Sequence, residues 1–180
     1  MQGMILPSRT WCFVAEIVSD ALSQESVLGH RVEVRDLAGD IRSILFYPDE
    51  NASYFDWQQL KAGSTIFIRY AQRCFFSDLA TEAIKCEDPA FVKVIPASID
   101  TLLWISQSFG SQTCQACNGS LSNLGGSVTK CESCHVASYC SQQCCISHMP
   151  SHRSYCLLCH ELSSVLNIDF DRFASYVPFR

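Results

Sequence analysis

The first hundred residues contain several short segments in which apolar and polar residues alternate, a pattern typical of half-buried β-strands. The alternation is clearest over residues 30–36 and 41–47, which flank a turn sequence at 37–40 and therefore predict a hairpin. A short helix is predicted over residues 54–61. Residues 72–90 mix polar and aromatic types, and no element is predicted there. The predicted strands cover residues 11–20, 30–36, 41–47, 64–71 and 91–95.

The order of these elements predicts a fold for the N-terminal part of the chain. The predicted order is three strands, a short helix and two further strands. This order is found in five-stranded Greek-key barrels of the OB type. We therefore predict an α+β protein whose first domain, residues 1–97, is a five-stranded antiparallel OB-like β-barrel. The choice of the OB type depends on the helix between the third and fourth strands.

The rest of the chain predicts helices on either side of a cysteine-rich segment. Ser98 is a good N-cap and Asp100 suits a helix N-terminus, so a connecting helix is predicted over residues 98–110. The cysteine-rich segment, residues 111–160, is predicted to be a small domain of its own. A C-terminal helix and tail, residues 161–180, are predicted to pack on the domains. The tail aromatics expected to dock on a core are Phe170, Phe173, Tyr176 and Phe179.

Cysteines are concentrated in one part of the chain. Twelve of the 180 residues are cysteines, and nine of them lie between Cys114 and Cys159. The N-terminus has no apolar segment of roughly 7–15 residues of the secretory kind, and no apolar run reaches the roughly 20 residues of a membrane helix. These features predict an intracellular protein, in the nucleus, the cytoplasm or both, where thiols stay reduced. The cysteines are therefore interpreted as metal ligands and not as a disulfide framework.

Eight residues of this segment form four pairs with the spacing of zinc ligands. A Cys-x2-Cys pair places both sulfurs on one ion from a tight turn, and a pair separated by three residues does the same from a helical turn. Eight ligands complete two tetrahedral sites and leave no position open for water or substrate, so two structural zinc ions are predicted. The pairs are Cys114 and Cys117, Cys131 and Cys134, Cys140 and Cys144, and His152 and Cys156.

This spacing, with Tyr139-Cys140-Ser141 in its middle, resembles the MYND zinc finger family. The resemblance implies a cross-brace fold in which alternate pairs share an ion. It also implies function, because MYND fingers are protein-interaction modules that often bind proline-containing peptides in transcriptional regulators. A zinc-dependent adaptor or regulatory module with protein partners is therefore expected. Carried over by position, the first zinc would be held by Cys114, Cys117, Cys140 and Cys144, and the second by Cys131, Cys134, His152 and Cys156.

Two positions depart from the family pattern between the sixth and seventh ligands. The family usually has Gln directly after the sixth ligand and Trp three residues before the histidine, and these side chains line its peptide groove. Cys145 and Met149 occupy the two positions here, while Pro150, which often follows the Trp, is kept. The zinc scaffold is therefore expected without the family's specificity for proline motifs.

A RING ubiquitin ligase is one alternative zinc fold. His135 and a Cys156/Cys159 pair fit part of its pattern, but this interpretation leaves Cys134 and His152 without a role. Near the two sites, five further side chains are expected to be surface residues or neighbours of the ligands. They are His135, Cys145, His148, Cys159 and His160.

Single-stranded nucleic-acid binding through the barrel is a second alternative, because OB-type barrels stack bases on aromatic side chains beside basic residues. The net charge of −5 argues against it, so nucleic acid is the less favoured partner. The candidate patch consists of Phe67, Arg69, Tyr70, Arg73, Phe75 and Phe76.

No enzyme activity is predicted. The chain lacks a Gly-x-Ser-x-Gly nucleophile motif, a phosphate-binding glycine loop and a His-Glu-x2-His motif. Nearly all of its Cys and His residues belong to the cysteine-rich segment, where the thiolates are already expected as metal ligands. No catalytic residue and no cofactor besides zinc is therefore predicted.

Overall fold

The computed structural model of the protein describes residues 11–19, 25–26, 29–47, 55–76, 81–122, 128–169, 171, 176 and 178–179. Over these residues it is an α+β structure. The chain divides into two compact units, which we call the sheet unit and the cysteine unit. The sheet unit is Met1–Ile99 together with Ile168–Arg180, and the cysteine unit, Asp100–Asn167, is inserted between them along the chain.

One β-sheet makes up most of the sheet unit. Its strands are β1 (Cys12–Ile17), β2 (Glu25–Ser26), β3 (Gly29–Asp36), β4 (Ile41–Phe46), β5 (Thr65–Arg69), β6 (Gln72–Phe76), β7 (Thr81–Cys86) and β8 (Val92–Ile95). They are joined in the order β6-β7-β4-β3-β1-β5-β8, and β2 pairs with β3 beside this path. All neighbours are antiparallel except β4 and β7, which run parallel.

The predicted five-stranded OB-like barrel is not confirmed, because the described residues form no closed barrel. Seven strands follow one another along the sheet, and in the part of the chain that the structure describes its edges, β6 and β8, do not pair with each other. The sheet is therefore open. The two strands that the sequence analysis missed, β6 and β7, extend the sheet beyond β4 and give it an edge that a five-stranded barrel does not have.

The predicted hairpin of β3 and β4 is confirmed. Arg35 pairs with Ile41, and the turn between them is closed by the Asp36 N–H, which donates to the Asp40 carbonyl at 3.0 Å. Gly39 has φ +89°, a conformation that glycine adopts without a steric penalty. The Asp36 carboxylate accepts backbone N–H groups from Ala38 and Asp40, which fixes the turn further.

Strands β6 and β7 lie in the stretch for which no element was predicted. β6 is an edge strand whose residues are exposed or half-buried, so it lacks the apolar alternation that identifies a strand. The strand is held by backbone pairing with β7 and by an ion pair between Arg73 and Glu82. This pairing is visible only once the partner strand is in place.

The helix predicted over residues 54–61 is replaced by a single 3-10 turn at Trp57–Gln59, and residue 54 lies outside the described residues. Asp56 caps the turn by accepting the Gln58 N–H at 2.9 Å. The Trp57 ring stacks on His30 at 4.1 Å and meets Phe46 edge-on at 5.4 Å. Side-chain packing against the sheet therefore determines the backbone here, since so short a segment has little helical stability of its own.

The core of the sheet unit lies against the central strands. All five residues of β5 are buried, and burial on both faces explains why its three central residues are all apolar. The buried core consists of Ala15, Ile17, Val32, Val34, Ile44, Phe46, Phe55, Leu60, Ile66, Ile68, Ile84, Cys86 and Val92.

The C-terminal tail returns to the sheet unit. Tyr176 meets Tyr70 edge-on at 4.8 Å, and the Phe179 N–H donates to the Ala90 carbonyl at 2.9 Å. Two of the tail aromatics that were expected to dock on a core, Tyr176 and Phe179, therefore lie against residues of the sheet unit. Phe170 and Phe173 lie outside the described residues.

The cysteine unit contains short elements joined by turns. Leu102, Ile105, Leu162 and Val165 form its buried aliphatic positions on the two outer helices. The predicted connecting and C-terminal helices are present as α1 and α3. The elements are α1 (Ile99–Ser106), β9 (Thr129–Lys130), β10 (Ser138–Tyr139), α2 (Gln142–His152) and α3 (Cys156–Leu166), with β9 and β10 antiparallel.

Candidate metal centre

The two Cys-x2-Cys pairs adopt the same backbone turn. The Asn118 N–H donates to the Cys114 carbonyl at 2.8 Å, and the His135 N–H donates to the Cys131 carbonyl at 2.9 Å. Asn118 and His135 both have φ +58°. Asn and His are among the residues that tolerate this left-handed conformation best. Each pair is therefore closed by a residue suited to a left-handed turn, and the sulfurs of the pair are brought to one side.

The third and fourth pairs depend on α2 and α3. The Ser141 side chain caps α2 by accepting the Cys144 N–H at 3.2 Å, which places Cys140 just before the helix and Cys144 in its first turn. His152 is the last residue of α2 and Cys156 the first of α3. The turn between these helices, and not one continuous helix, places the fourth pair on a common site.

The structure brings the eight side chains together in two groups of four. The potential ligand atoms of each group all lie within 4.8 Å of one another. The pairs alternate, because the first group takes the first and third pairs along the chain and the second group takes the second and fourth. We call Cys114, Cys117, Cys140 and Cys144 the first cluster, and Cys131, Cys134, His152 and Cys156 the second cluster.

The distances within the clusters match a tetrahedral zinc ion. Bonds of about 2.3 Å to sulfur and about 2.05 Å to nitrogen separate two sulfurs by about 3.8 Å, and a sulfur from a nitrogen by about 3.6 Å. In the first cluster the Cys140 Sγ lies 3.7 Å from the Cys117 Sγ and 3.5 Å from the Cys144 Sγ. All of the described cysteines are free thiols.

The second cluster gives similar distances and is the more buried of the two. The Cys131 and Cys156 sulfurs are 3.7 Å apart, and the Cys134 Sγ lies 3.4 Å from the His152 Nε2. His152 is fully buried, and its Nδ1 has no hydrogen-bond partner among the described residues. Burial lowers the pKa of His152, which favours the neutral imidazole that ligates metals. The donor set therefore fits zinc.

The electrostatics of the first cluster favour one thiolate but not four. Burial opposes ionisation of Cys114, but backbone N–H groups, that of Cys140 first, outweigh it and lower its pKa to about 6. Hydrogen bonds with the thiols of Cys144 and Cys117 raise the pKa of Cys140 to about 12. Crowded thiolates repel one another, so a dication is needed before all of them ionise.

The second cluster shows the same division between its members. Burial opposes ionisation of Cys131, yet the backbone N–H groups of Cys134 and Ser133 lower its pKa overall. Burial, followed by the hydrogen bond with Cys131, raises the pKa of Cys156 to about 12. Both clusters therefore combine one thiol of lowered pKa with a thiol of raised pKa that a bound cation would have to deprotonate.

The five neighbouring side chains are absent from both clusters. His135 and His160 are exposed, and Cys145 and Cys159 are buried. The His148 Nδ1 is 3.2 Å from the Tyr139 hydroxyl, which gives this ring a partner outside the clusters. Sequence reasoning missed the role of Asn118 and His135 as turn residues. A repeated Cys-x2-Cys followed by a residue that tolerates positive φ is the signal that would have found them.

A groove runs beside the second cluster. One wall is formed by β9 and the turn that follows it, and the other wall is formed by α2. Its volume is about 520 Å³, and Cys145 and Met149 both line it. Ile146 is 57% exposed on the same helix. The charged residues of the groove are Lys130, Glu132 and Arg153. The two residues that depart from the MYND pattern therefore lie on one concave surface.

The candidate nucleic-acid patch of the sheet unit is divided by burial. Phe67, Arg69 and Tyr70 are buried, and the most exposed of the three, Tyr70, is only 7% exposed. Arg73 and Phe75 are exposed on the edge strand β6. The patch is therefore not one continuous surface of stacked aromatic and basic side chains.

Comparisons of the chain with protein-family models, with curated proteins and with solved structures find no match. Among the described residues, no helix has both the length and the apolar character needed to cross a lipid bilayer. The two clusters and the groove beside them are therefore the features of this protein that point to a function.

Proposed function

We propose that the protein is a zinc-dependent protein-interaction module, of the adaptor or regulatory kind, whose cysteine unit is a MYND-like finger. The observation that carries the proposal is the arrangement of eight soft ligands in two interleaved clusters with the spacing of tetrahedral zinc sites. Each ion would have four protein ligands, so neither site keeps a position for substrate. Zinc then acts in folding, where binding free energy becomes folding free energy.

The groove beside the second cluster is the proposed binding surface. Cys145 and Met149 supply soft, polarizable contacts in its wall, and Ile146 adds an exposed aliphatic group. Lys130 and Arg153 outnumber Glu132 among its charged residues. The fitting partner is a short peptide segment with an aliphatic or aromatic anchor and an acidic residue next to it. We do not extend the family's preference for proline motifs to this groove.

Other features support a binding role over catalysis. The thiolates of the unit are assigned to metal, and a closed tetrahedral site offers no nucleophilic water. A RING ligase is less well supported, because His135 is exposed and Cys159 lies in neither cluster. Zinc thiolates also require a reducing environment, so we propose that the protein works in the nucleus, the cytoplasm or both.

The test combines metal analysis with a peptide selection. The zinc-loaded full chain is used to select binders from a displayed peptide library, and the enriched peptides are titrated by fluorescence anisotropy. Ile146→Asp is expected to weaken binding at least tenfold with two zinc ions retained, because it removes an apolar contact and adds a carboxylate that repels the acidic residue of the partner. Leu157→Asp is the matched control, since Leu157 is an exposed aliphatic residue of α3 outside the groove.

Two outcomes would count against the proposal. Equal loss of binding in both variants would mean that the groove is not the binding surface. A zinc content other than two ions per folded chain would remove the structural basis of the module. A parallel titration with mixed single-stranded oligonucleotides at two salt concentrations tests nucleic acid as the partner. Tight binding that weakens at the higher salt concentration would support nucleic acid.

A further inference from the structure

Three described residues of the tail, Tyr176, Pro178 and Phe179, lie in a cleft of the sheet unit. We call it the tail cleft and define it by Arg69, Tyr70, Ala90 and Phe91. Two hydrogen bonds there involve the backbone of the tail. The Arg69 guanidinium donates to the Pro178 carbonyl at 2.9 Å, and the Phe179 N–H donates to the Ala90 carbonyl at 2.9 Å. Bonds of this type do not depend on which side chains the bound segment carries.

Aromatic contacts supply the side-chain component of this recognition. The Arg69 guanidinium lies 4.0 Å from the centre of the Phe179 ring, a cation–π contact. The Tyr176 ring meets Tyr70 edge-on at 4.8 Å and Phe91 at 6.1 Å. The cleft therefore contacts two rings three residues apart and the carbonyl of a proline between them. These contacts define a pattern of two aromatic residues three positions apart, joined by a backbone that the cleft recognises at a carbonyl and an N–H group.

The walls of the cleft are held by contacts that do not involve the tail. Tyr70 packs edge-on against Trp11 at 5.1 Å and against Phe91 at 5.5 Å. Its N–H donates to the Trp11 carbonyl at 3.1 Å. The backbone of Tyr70 has φ +56°, an uncommon conformation for a bulky residue, of the kind found at ligand sites. A cleft held in place in this way loses little conformational freedom when a segment binds.

The cleft also extends beyond the tail. A cavity of about 240 Å³ lies beside Tyr176 and continues along residues 85–88. Arg69 is 4% exposed, so its charge is largely removed from water, which lowers its pKa through burial. A buried guanidinium is stabilised by an acceptor and a ring face of the kind that the tail provides.

We propose that the tail cleft is a binding site for peptide segments with two aromatic residues three positions apart, and that the chain's own tail occupies it as an internal ligand. An external segment must then displace a tail whose effective concentration is on the order of millimolar. The sheet unit is accordingly a second peptide receptor, independent of zinc and of the groove in the cysteine unit. Its partners are proteins that present such a segment in an extended, accessible form.

The test is a competition between the tail and a fluorescein-labelled peptide with the sequence of residues 171–180. Full-length, zinc-loaded chains are titrated by anisotropy. Replacing both Tyr176 and Phe179 by alanine removes the internal ligand, so this double variant is expected to bind the peptide at least tenfold more tightly than the unsubstituted chain. Phe75→Ala, an exposed phenylalanine of the same unit, is the matched control and is expected to bind like the unsubstituted chain. A peptide with alanine at the two aromatic positions should not bind.

Equal affinity of the double variant and the unsubstituted chain, or no binding to either at 1 mM peptide, would overturn the proposal. If the double variant does not fold, hydrogen exchange on the unsubstituted chain decides. Millimolar unlabelled peptide should speed exchange of the Phe179 amide, which is bonded to Ala90, and leave the Val34 amide in the core unchanged. An unchanged Phe179 rate would equally overturn the proposal.

Discussion

Replacing Cys144 with serine, and separately its neighbour Cys145, tests which of two adjacent thiols holds metal. Both residues lie in the first turns of α2. The Cys144 Sγ is 3.5 Å from the Cys140 Sγ and belongs to the first cluster. Cys145 is only 7% exposed, but its side chain lines the groove and belongs to neither cluster. The two substitutions are chemically identical and differ only in the direction of the side chain.

The expected magnitude follows from the ligand count. Structural zinc sites bind with an apparent free energy of about 10–16 kcal/mol at neutral pH. If four ligands share this equally, one thiolate accounts for about 2.5–4 kcal/mol. Cys144→Ser should therefore weaken the first site by about two to three orders of magnitude. Cys145→Ser places a hydroxyl in a partly apolar site, which costs about 1–2 kcal/mol of stability and leaves zinc affinity within about threefold.

The assay is a competition titration against a chromophoric chelator, with metal content measured on the same samples. The unsubstituted chain and Cys145→Ser should both retain two tight sites, and Cys144→Ser should retain one. Strand circular dichroism should stay unchanged in both variants, because the sheet unit has a core of its own. Equal loss in the two variants, or loss in Cys145→Ser alone, would show that the ligand assignment is wrong.

Two further predictions concern single contacts. A methyl group at Gly119 would lie 3.3 Å from the Cys117 Sγ, so Gly119→Ala should displace this sulfur at a cost of about 1 kcal/mol or more. The zinc affinity of the first site should fall about fivefold in the same titration, and that of the second site should stay unchanged. The hydrogen bond from Arg42 lowers the pKa of Asp36, so this carboxylate stabilises the fold above its unfolded pKa of about 3.9, and the contribution is lost as pH falls through the lowered folded value. Asp36→Asn should therefore lower the urea midpoint of the strand signal at pH 7. A difference in midpoint that did not shrink as the pH was lowered below about 3.9 would contradict this cause.

Local patterns anticipated the central strands well and the sheet edge poorly. The hairpin of β3 and β4 could be predicted because alternation and a turn sequence are short-range properties. Strand β6 could not, since its side chains are mostly exposed and its stability comes from its partner. A helix was likewise predicted where the structure has a 3-10 turn at Trp57. The ring stack with His30 that shapes this turn is a tertiary contact, which the local sequence does not reveal.

The sequence by itself determined which residues form the candidate metal centre, because a spacing of two or three residues limits how far apart two ligand atoms can lie. It also determined that β-strands are the main regular elements of the first hundred residues. Only the tertiary structure decided that the sheet stays open, that Ile44 pairs in parallel with Ile84, that Cys145 lines the groove and that Phe179 lies against Arg69. These contacts join segments far apart in the chain or depend on the direction of a side chain. Local periodicity carries no information about either, since such pairings depend on loop closure and on packing with the rest of the fold.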